Sequence, residues 1–170
     1  MFEFVESIAI EASATAVWRF LLDVETWWLP SNPEHIRLEI RPRGSALGVG
    51  TQVLFEERVA GVKGEAEGII TAWAEERAAT WEGTATYRYL GLRIRVIEGV
   101  TWRVEPQAGA TQLSARVWAR FPSSLWGRLT EWYAKAALDV VGRDRRHARR
   151  ELEYLKPVIE AATASLEGAV

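Results

Sequence analysis

The chain has 170 residues, 48% of them apolar and 26% charged, with a formal net charge of −2. This length suits one domain, expected over residues 1–170, and the apolar share allows a sizeable core. The charge offers no footprint for nucleic acid, so no nucleic-acid partner is expected. The lack of cysteine excludes disulfides, iron–sulfur clusters and cysteine-based zinc sites. No stretch approaches the roughly 18 consecutive apolar residues of a membrane span, and the first residues lack the pattern of a secretory signal. The expectation is therefore a cytoplasmic protein without an integral membrane segment.

Residues 2–11 alternate apolar and polar positions with a period of two, which predicts a strand. Ser13 is placed to cap a helix in which Val17, Phe20, Leu21 and Val24 recur at helical spacing. Pro30 and Pro33 end that run or start a short second helix near 33–36. Ile36, Leu38 and Ile40 alternate with charged residues, predicting a strand with one wet face. Gly44, Gly48 and Gly50 mark a turn before a strand over 49–59. A third candidate covers 62–74, where Gly64 and Gly68 suggest a bend or bulge. Strands over 79–89 and 92–105, a turn at Pro106–Gly109 and a strand over 111–121 complete the series.

From Ser124 the period becomes helical. Leu125, Leu129, Trp132, Ala136, Val140, Ala148, Leu152, Leu155 and Ile159 share one face, predicting a helix over 124–156 with a gap near Asp144. Gly142 permits a bend in it, and Pro157 should kink or end it. Strands joined by such short turns pair antiparallel. A sheet of this extent must cover its apolar face, and the C-terminal helix is the only large cover available.

Several strings resemble the START-like (SRPBCC) superfamily, in particular its polyketide cyclase/dehydrase and lipid-transport group. Ile8–Trp18 resembles the family's first strand entering its first helix, and Asp23–Trp27 the end of that helix. Leu47–Thr51 resembles the turn into its third strand. Trp102–Pro106 with Gly109–Leu113 resembles its last hairpin, although Ala110 stands where the family usually has a second glycine. Leu152–Glu160 resembles the end of its long helix. The resemblance implies an α+β helix-grip fold: a curved antiparallel sheet of about seven strands around a long C-terminal helix, with one or two short helices after the first strand. It also implies a small hydrophobic or amphipathic ligand, lipid or polyketide-like, held between sheet and helix. The family also contains cyclase/dehydratase enzymes and co-chaperone-like protein-binding modules, so fold alone does not choose among these.

Nine tryptophans are spread along the chain, and each buried indole N–H needs a hydrogen-bond acceptor. Some are core, and others are candidates to line a cavity. The candidate ligand-binding residues are Phe55, Trp81, Trp102 and Val117 on the sheet, and Leu129, Trp132, Tyr133, Ala136 and Val140 on the helix. Small residues at 136 and 137 leave volume beside two large rings. Glu57 and Glu98 share the inward parity of their strands. With Tyr133 they are the catalytic candidates, because a carboxyl among apolar walls has a raised pKa suited to acid–base work. A bulge that shifts the register, or a strand end that reaches water, would instead place both carboxyls outside the core.

No nucleophile elbow or phosphate-binding glycine loop occurs. His35 lies in a proline-flanked segment and His147 in the basic run Arg143–Arg150. Sequence spacing supplies neither with obvious carboxylates, so no metal and no cofactor is expected. The basic run itself reads as a solvated helix face with Asp139, Asp144, Glu151 and Glu153 as partners.

Overall fold

The computed structural model describes residues 1–167 except 43, 45, 60, 90 and 137, and the side chains of these up to residue 165. Ala137, one of the two small residues singled out above, therefore lies outside the described residues. In chain order the elements are β1 (Phe2–Ile10), α1 (Ala14–Leu22), α2 (Val24–Ser31), β2 (His35–Arg41), β3 (Gln52–Val59), β4 (Val62–Ala74), β5 (Ala78–Tyr89), β6 (Leu92–Gln107), β7 (Ala110–Arg120), α3 (Leu125–Ala136) and α4 (Val140–Glu167). The strands form one antiparallel sheet in the order β1-β7-β6-β5-β4-β3-β2. This is the helix-grip architecture. The short helices α1 and α2 carry the chain from one edge of the sheet to the other.

Period-two alternation sets which side chains face α4. Trp102 and Val117 face the interior, whereas the Arg103 and Arg116 side chains are 55% and 50% exposed. The Ser13 side chain accepts a hydrogen bond from the Ala16 amide at 3.2 Å, capping α1, whose Val17, Trp18 and Leu21 are buried. These residues join Ile10, Trp27, Trp28, Val104 and Leu113 in a core closed by Leu152, Leu155 and Ile159 of α4. Each such side chain stabilises the fold by about 1.5–3 kcal/mol through burial. Three of the buried indoles donate to named acceptors: Trp18 to Glu75, Trp27 to the Leu21 carbonyl and Trp81 to the Val53 carbonyl.

Three expectations are corrected. The second helix occupies 24–31 and contains Pro30 near its end, instead of starting near 33. The C-terminal helix is two helices. The chain breaks after Ala136, and Asp139 adopts a left-handed backbone (φ +48°) before α4 begins at Val140. Gly142 is in the first turn of the new helix, where a Cβ would come within 2.5 Å of the Asp139 carboxylate. Its lack of a side chain lets that carboxylate lie over the helix start, where negative charge is favoured. α4 then runs through Pro157 to Glu167. Pro157 and Glu153, whose carbonyl loses its helical donor to the proline, are both exposed.

The glycines of β4 also act differently from a bulge. The irregularity in β4–β5 pairing falls between Ile70 and Ala72. Gly64 keeps regular pairing and instead makes room for a ring, since a Cβ there would be 2.6 Å from Tyr87 Cε1.

Candidate functional site

The larger core cluster is closed by the second half of α4, and a smaller one gathers Ala66, Trp81 and Ala85 on the sheet. Beneath the first half of α4 lies a cavity of about 180 Å³. Its walls are mainly apolar: Phe55, Trp81, Val96, Val100, Trp102 and Val117 from the sheet, and Val140 and Ala148 from α4. The spacing 140, 144, 147, 148, 151 puts five α4 residues on one face, and three of them are ionisable: Asp144, His147 and Glu151.

Among the candidate ligand-binding residues, Phe55, Trp81, Trp102, Val117 and Val140 line this cavity, and so do Glu57 and Glu98. Leu129, Trp132, Tyr133 and Ala136 do not. All four lie on the exposed side of α3, with Leu129 52%, Trp132 63% and Tyr133 41% exposed. α3 ends at Ala136, before α4 begins at Val140, and the residues it buries are Gly127 and Ala134. Tyr133 reaches only the rim, where its hydroxyl is 3.4 Å from that of Tyr89.

Glu57 and Glu98 stay inside because pairing is unbroken around them, from Gln52 to Val59 in β3–β4 and throughout β5–β6. No register shift carries either carboxyl outward. The Tyr87 hydroxyl donates to Glu98 Oε2 at 2.9 Å. Burial pushes the Glu98 carboxyl up to about 7, against the lowering effect of that hydrogen bond. Burial likewise raises Glu57 to about 8, opposed by the charge of His147, and Asp144 to about 7, again opposed by His147. Burial, and next the Glu98 charge, push the Tyr87 hydroxyl well above 10. Burial thus raises all three carboxyls, and the charge of His147 offsets it only in part at Glu57 and Asp144.

A second group adjoins these carboxyls and was missed in the sequence. His35 opens β2 and is paired across the sheet with Glu57. A bulge between His35 and Arg37 leaves Ile36 43% exposed and turns His35 inward. Its ring stacks on Trp28 at 3.6 Å, and Nδ1 is 2.5 Å from the Trp28 carbonyl. His147 Nδ1 contacts Glu34 Oε2 at 3.0 Å. The two Nε2 atoms are 3.0 Å apart, and Glu151 Oε1 lies 2.8 Å from His35 Nε2 and 3.2 Å from His147 Nε2. Glu57 Oε2 is 3.9 and 3.5 Å from the same nitrogens.

Burial works against a charged His147, but its hydrogen bond to Glu151 and the charge of Glu57 outweigh that and hold its pKa at about 10. Burial also works against a charged Glu151, yet its hydrogen bonds to His147 and His35 bring it down to about 2. The expectation that neither histidine has carboxylates within reach is overturned: each touches Glu151, and Glu57 and Glu34 are beside them. His147 and Glu151 are one helical turn apart, a spacing that was legible but lay within a run read for its arginines. Those arginines do face solvent. Arg145 and Arg149 pair with Glu6 of β1, and Arg146 pairs with Asp139.

A family model described as polyketide cyclase/dehydrase and lipid transport matches residues 1–160. The chain belongs to that family. No curated protein matches it. Among solved structures it is similar to a protein of Thermus thermophilus (18% identity, TM-score 0.69, covering 95% of this chain and 99% of that one). It is similar to the Zhui aromatase/cyclase of a Streptomyces species (16% identity, TM-score 0.65, 94% and 93% covered). It is also similar to a START superfamily protein of Mycobacterium smegmatis (15% identity, TM-score 0.53, 96% and 98% covered). At these identities the likenesses establish the START-like fold. No helix among the described residues is long and apolar enough to cross a membrane.

Proposed function

We propose that this family member binds a small hydrophobic or amphipathic molecule in the cavity under α4 and performs acid–base chemistry on it, of the cyclase/dehydratase kind. The observation that carries this is the convergence of Glu98, Tyr87, Glu57 and Asp144 on a cavity whose other walls are apolar. A carrier for an apolar cargo has no use for ionisable groups that are costly to bury. A carboxyl poised near neutrality is suited to giving and taking protons at a bound carbonyl or hydroxyl. Glu98 is the proposed acid–base residue, and Tyr87, through its 2.9 Å hydrogen bond, is the positioning residue. The likeness to an aromatase/cyclase agrees with this chemistry.

Volume narrows the substrate. The cavity of about 180 Å³ is close to the roughly 150 Å³ that accommodates benzene in an engineered core. One ring fits inside, and a longer or polycyclic molecule must extend past the mouth.

The test uses a monocyclic aryl ketone in D₂O. Binding is followed through the fluorescence of the lining tryptophans, and exchange of the protons α to the carbonyl by proton NMR. Saturable quenching with catalysed exchange, lost in Glu98→Gln, is the expected result. Saturable binding without exchange, or exchange untouched by Glu98→Gln, would replace the enzyme with a carrier. Absence of binding by any such ketone would favour a protein-binding module. The observation behind that second reading is the exposed apolar face of Leu125, Trp126, Leu129 and Trp132 on α3.

A further inference from the structure

We infer that His35, His147 and Glu151 form a binding site for one divalent first-row transition-metal ion, with Glu57 at its cavity side. The proposal is independent of the acid–base reading, because neither Glu98 nor Tyr87 belongs to the ligand set.

The Trp28 carbonyl can only accept, so the His35 Nδ1 that faces it at 2.5 Å carries a proton. His147 Nδ1 likewise faces a carboxylate, that of Glu34. The Nδ1 contacts leave Nε2 as the metal-facing atom of each ring, and the two Nε2 atoms and Glu151 Oε1 lie across edges of 3.0, 2.8 and 3.2 Å, where an incoming ion would displace any proton held among them. A proton can bridge one edge of this triangle at a time. If both Nε2 atoms are protonated, two N–H groups confront each other at 3.0 Å. A cation at the common focus satisfies all three atoms together.

The dimensions agree. The centre of that triangle is about 1.7 Å from each corner, so an ion at the ~2.0–2.1 Å of a metal–imidazole bond stands about 1 Å off its plane. Three ligands on one face of an octahedron are about 2.9 Å apart at such bond lengths, and tetrahedral ligands about 3.3 Å. The observed edges lie around these two values, with a mean nearer the octahedral one. Two imidazoles and one carboxylate on one face form the set that suits iron, zinc and similar ions in preference to magnesium or calcium, and it leaves positions open to other ligands. Those positions adjoin Glu57 and the cavity, which His147 and Glu151 both line.

The outer contacts are those a metal site requires. Metal-bound histidines usually donate their other N–H to a carbonyl or carboxylate, which fixes the tautomer and the ring. His35 does so to Trp28 and His147 to Glu34. The His35 ring is further clamped by stacking on Trp28 with 6° between the planes. Fully buried Asn32 holds the Glu34 turn against α4: its Nδ2 donates to the His147 carbonyl, and its Oδ1 accepts from the Glu34 amide. The bulge at Ile36 and the stack on Trp28 thus aim a strand residue at a helix residue 112 positions away.

The chain contains only two histidines, so an imidazole signature from bound metal identifies this site without any mutation. The experiment takes the full chain free of any histidine tag, stripped with chelator and titrated with Co²⁺. The expected result is saturation at one equivalent, displacement by Zn²⁺, a visible d–d band, and two paramagnetically shifted exchangeable signals from the Nδ1 protons held by Trp28 and Glu34. Glu151→Gln should abolish both signals. Glu34→Gln, which alters only the outer contact, should weaken binding by about 10–100-fold. Glu98→Gln should retain both signals. No saturation up to millimolar Co²⁺, or saturation without the shifted imidazole protons, overturns the proposal. The wild-type spectrum decides the matter even if a variant fails to fold.

Discussion

Glu98→Gln should make the protein more stable above neutral pH and leave it nearly unchanged in acid. The Glu98 carboxyl has its pKa raised from 4.5 to about 7, chiefly by burial. Below pH 4.5 it is protonated whether the chain is folded or unfolded, and it contributes no pH dependence. Between pH 4.5 and 7 the unfolded chain releases this proton while the folded chain keeps it. Stability therefore falls as pH rises, and the loss is complete above the folded-state pKa. A shift of this size corresponds to about 3 kcal/mol at about 1.36 kcal/mol per unit. Glutamine has nearly the same shape, accepts from Tyr87 through its amide oxygen and never ionises. At about pH 8 the variant should thus gain up to about 3 kcal/mol, or roughly 6–12 °C in midpoint for a chain of this length. Urea titrations of both proteins at about pH 4.5, 6 and 8, spanning the window between the two pKa values, check this. Parallel pH profiles, or a variant less stable at the alkaline end, would mean that Glu98 is solvated and that the cavity is more open than its walls suggest.

Gly64→Ala places a Cβ 2.6 Å from the Tyr87 ring; overpacking of this kind costs about 1–3 kcal/mol. A denaturant titration should show that loss, and displacement of Tyr87 should show as a drop in α-proton exchange. Trp132→Ala removes a large ring from the exposed side of α3 and should change stability by no more than about 0.5 kcal/mol, with affinity for the aryl ketone intact. Loss of that affinity would return α3 to the ligand site.

What the sequence disclosed followed from how local each signal is. Period-two alternation is written into every strand, so the inward parity of Glu57, Glu98, Trp102 and Val117 could be read directly. Whether the carboxyls stayed inside depended on unbroken pairing with β4 and β5, which is a property of two strands together. The helix break escaped because apolar periodicity continues across it. The left-handed turn at Asp139 and the carboxylate lying over Gly142 involve polar groups that a hydrophobic pattern does not register. With the helix broken there, Leu129, Trp132, Tyr133 and Ala136 lie at the surface instead of in the cavity.

The histidine cluster was the least legible feature, and the reason is physical. Its two halves are far apart in the chain, and one extra residue in β2 decides whether His35 points inward or outward. The i, i+4 relation of His147 and Glu151 was visible, but it acquires chemical meaning only when a third ligand arrives from the opposite edge of the fold. Burying four carboxyls and two imidazoles in one region is unfavourable unless each is paired. Glu151, His35 and His147 are mutually paired, whereas Glu57, Glu98 and Asp144 are left to favour their protonated forms. The polar end of the cavity therefore divides into a tightly clustered triad and a more loosely paired set of acids. That division separates a site for holding a cation from a site for moving protons, and it puts both at the same wall of one small apolar chamber.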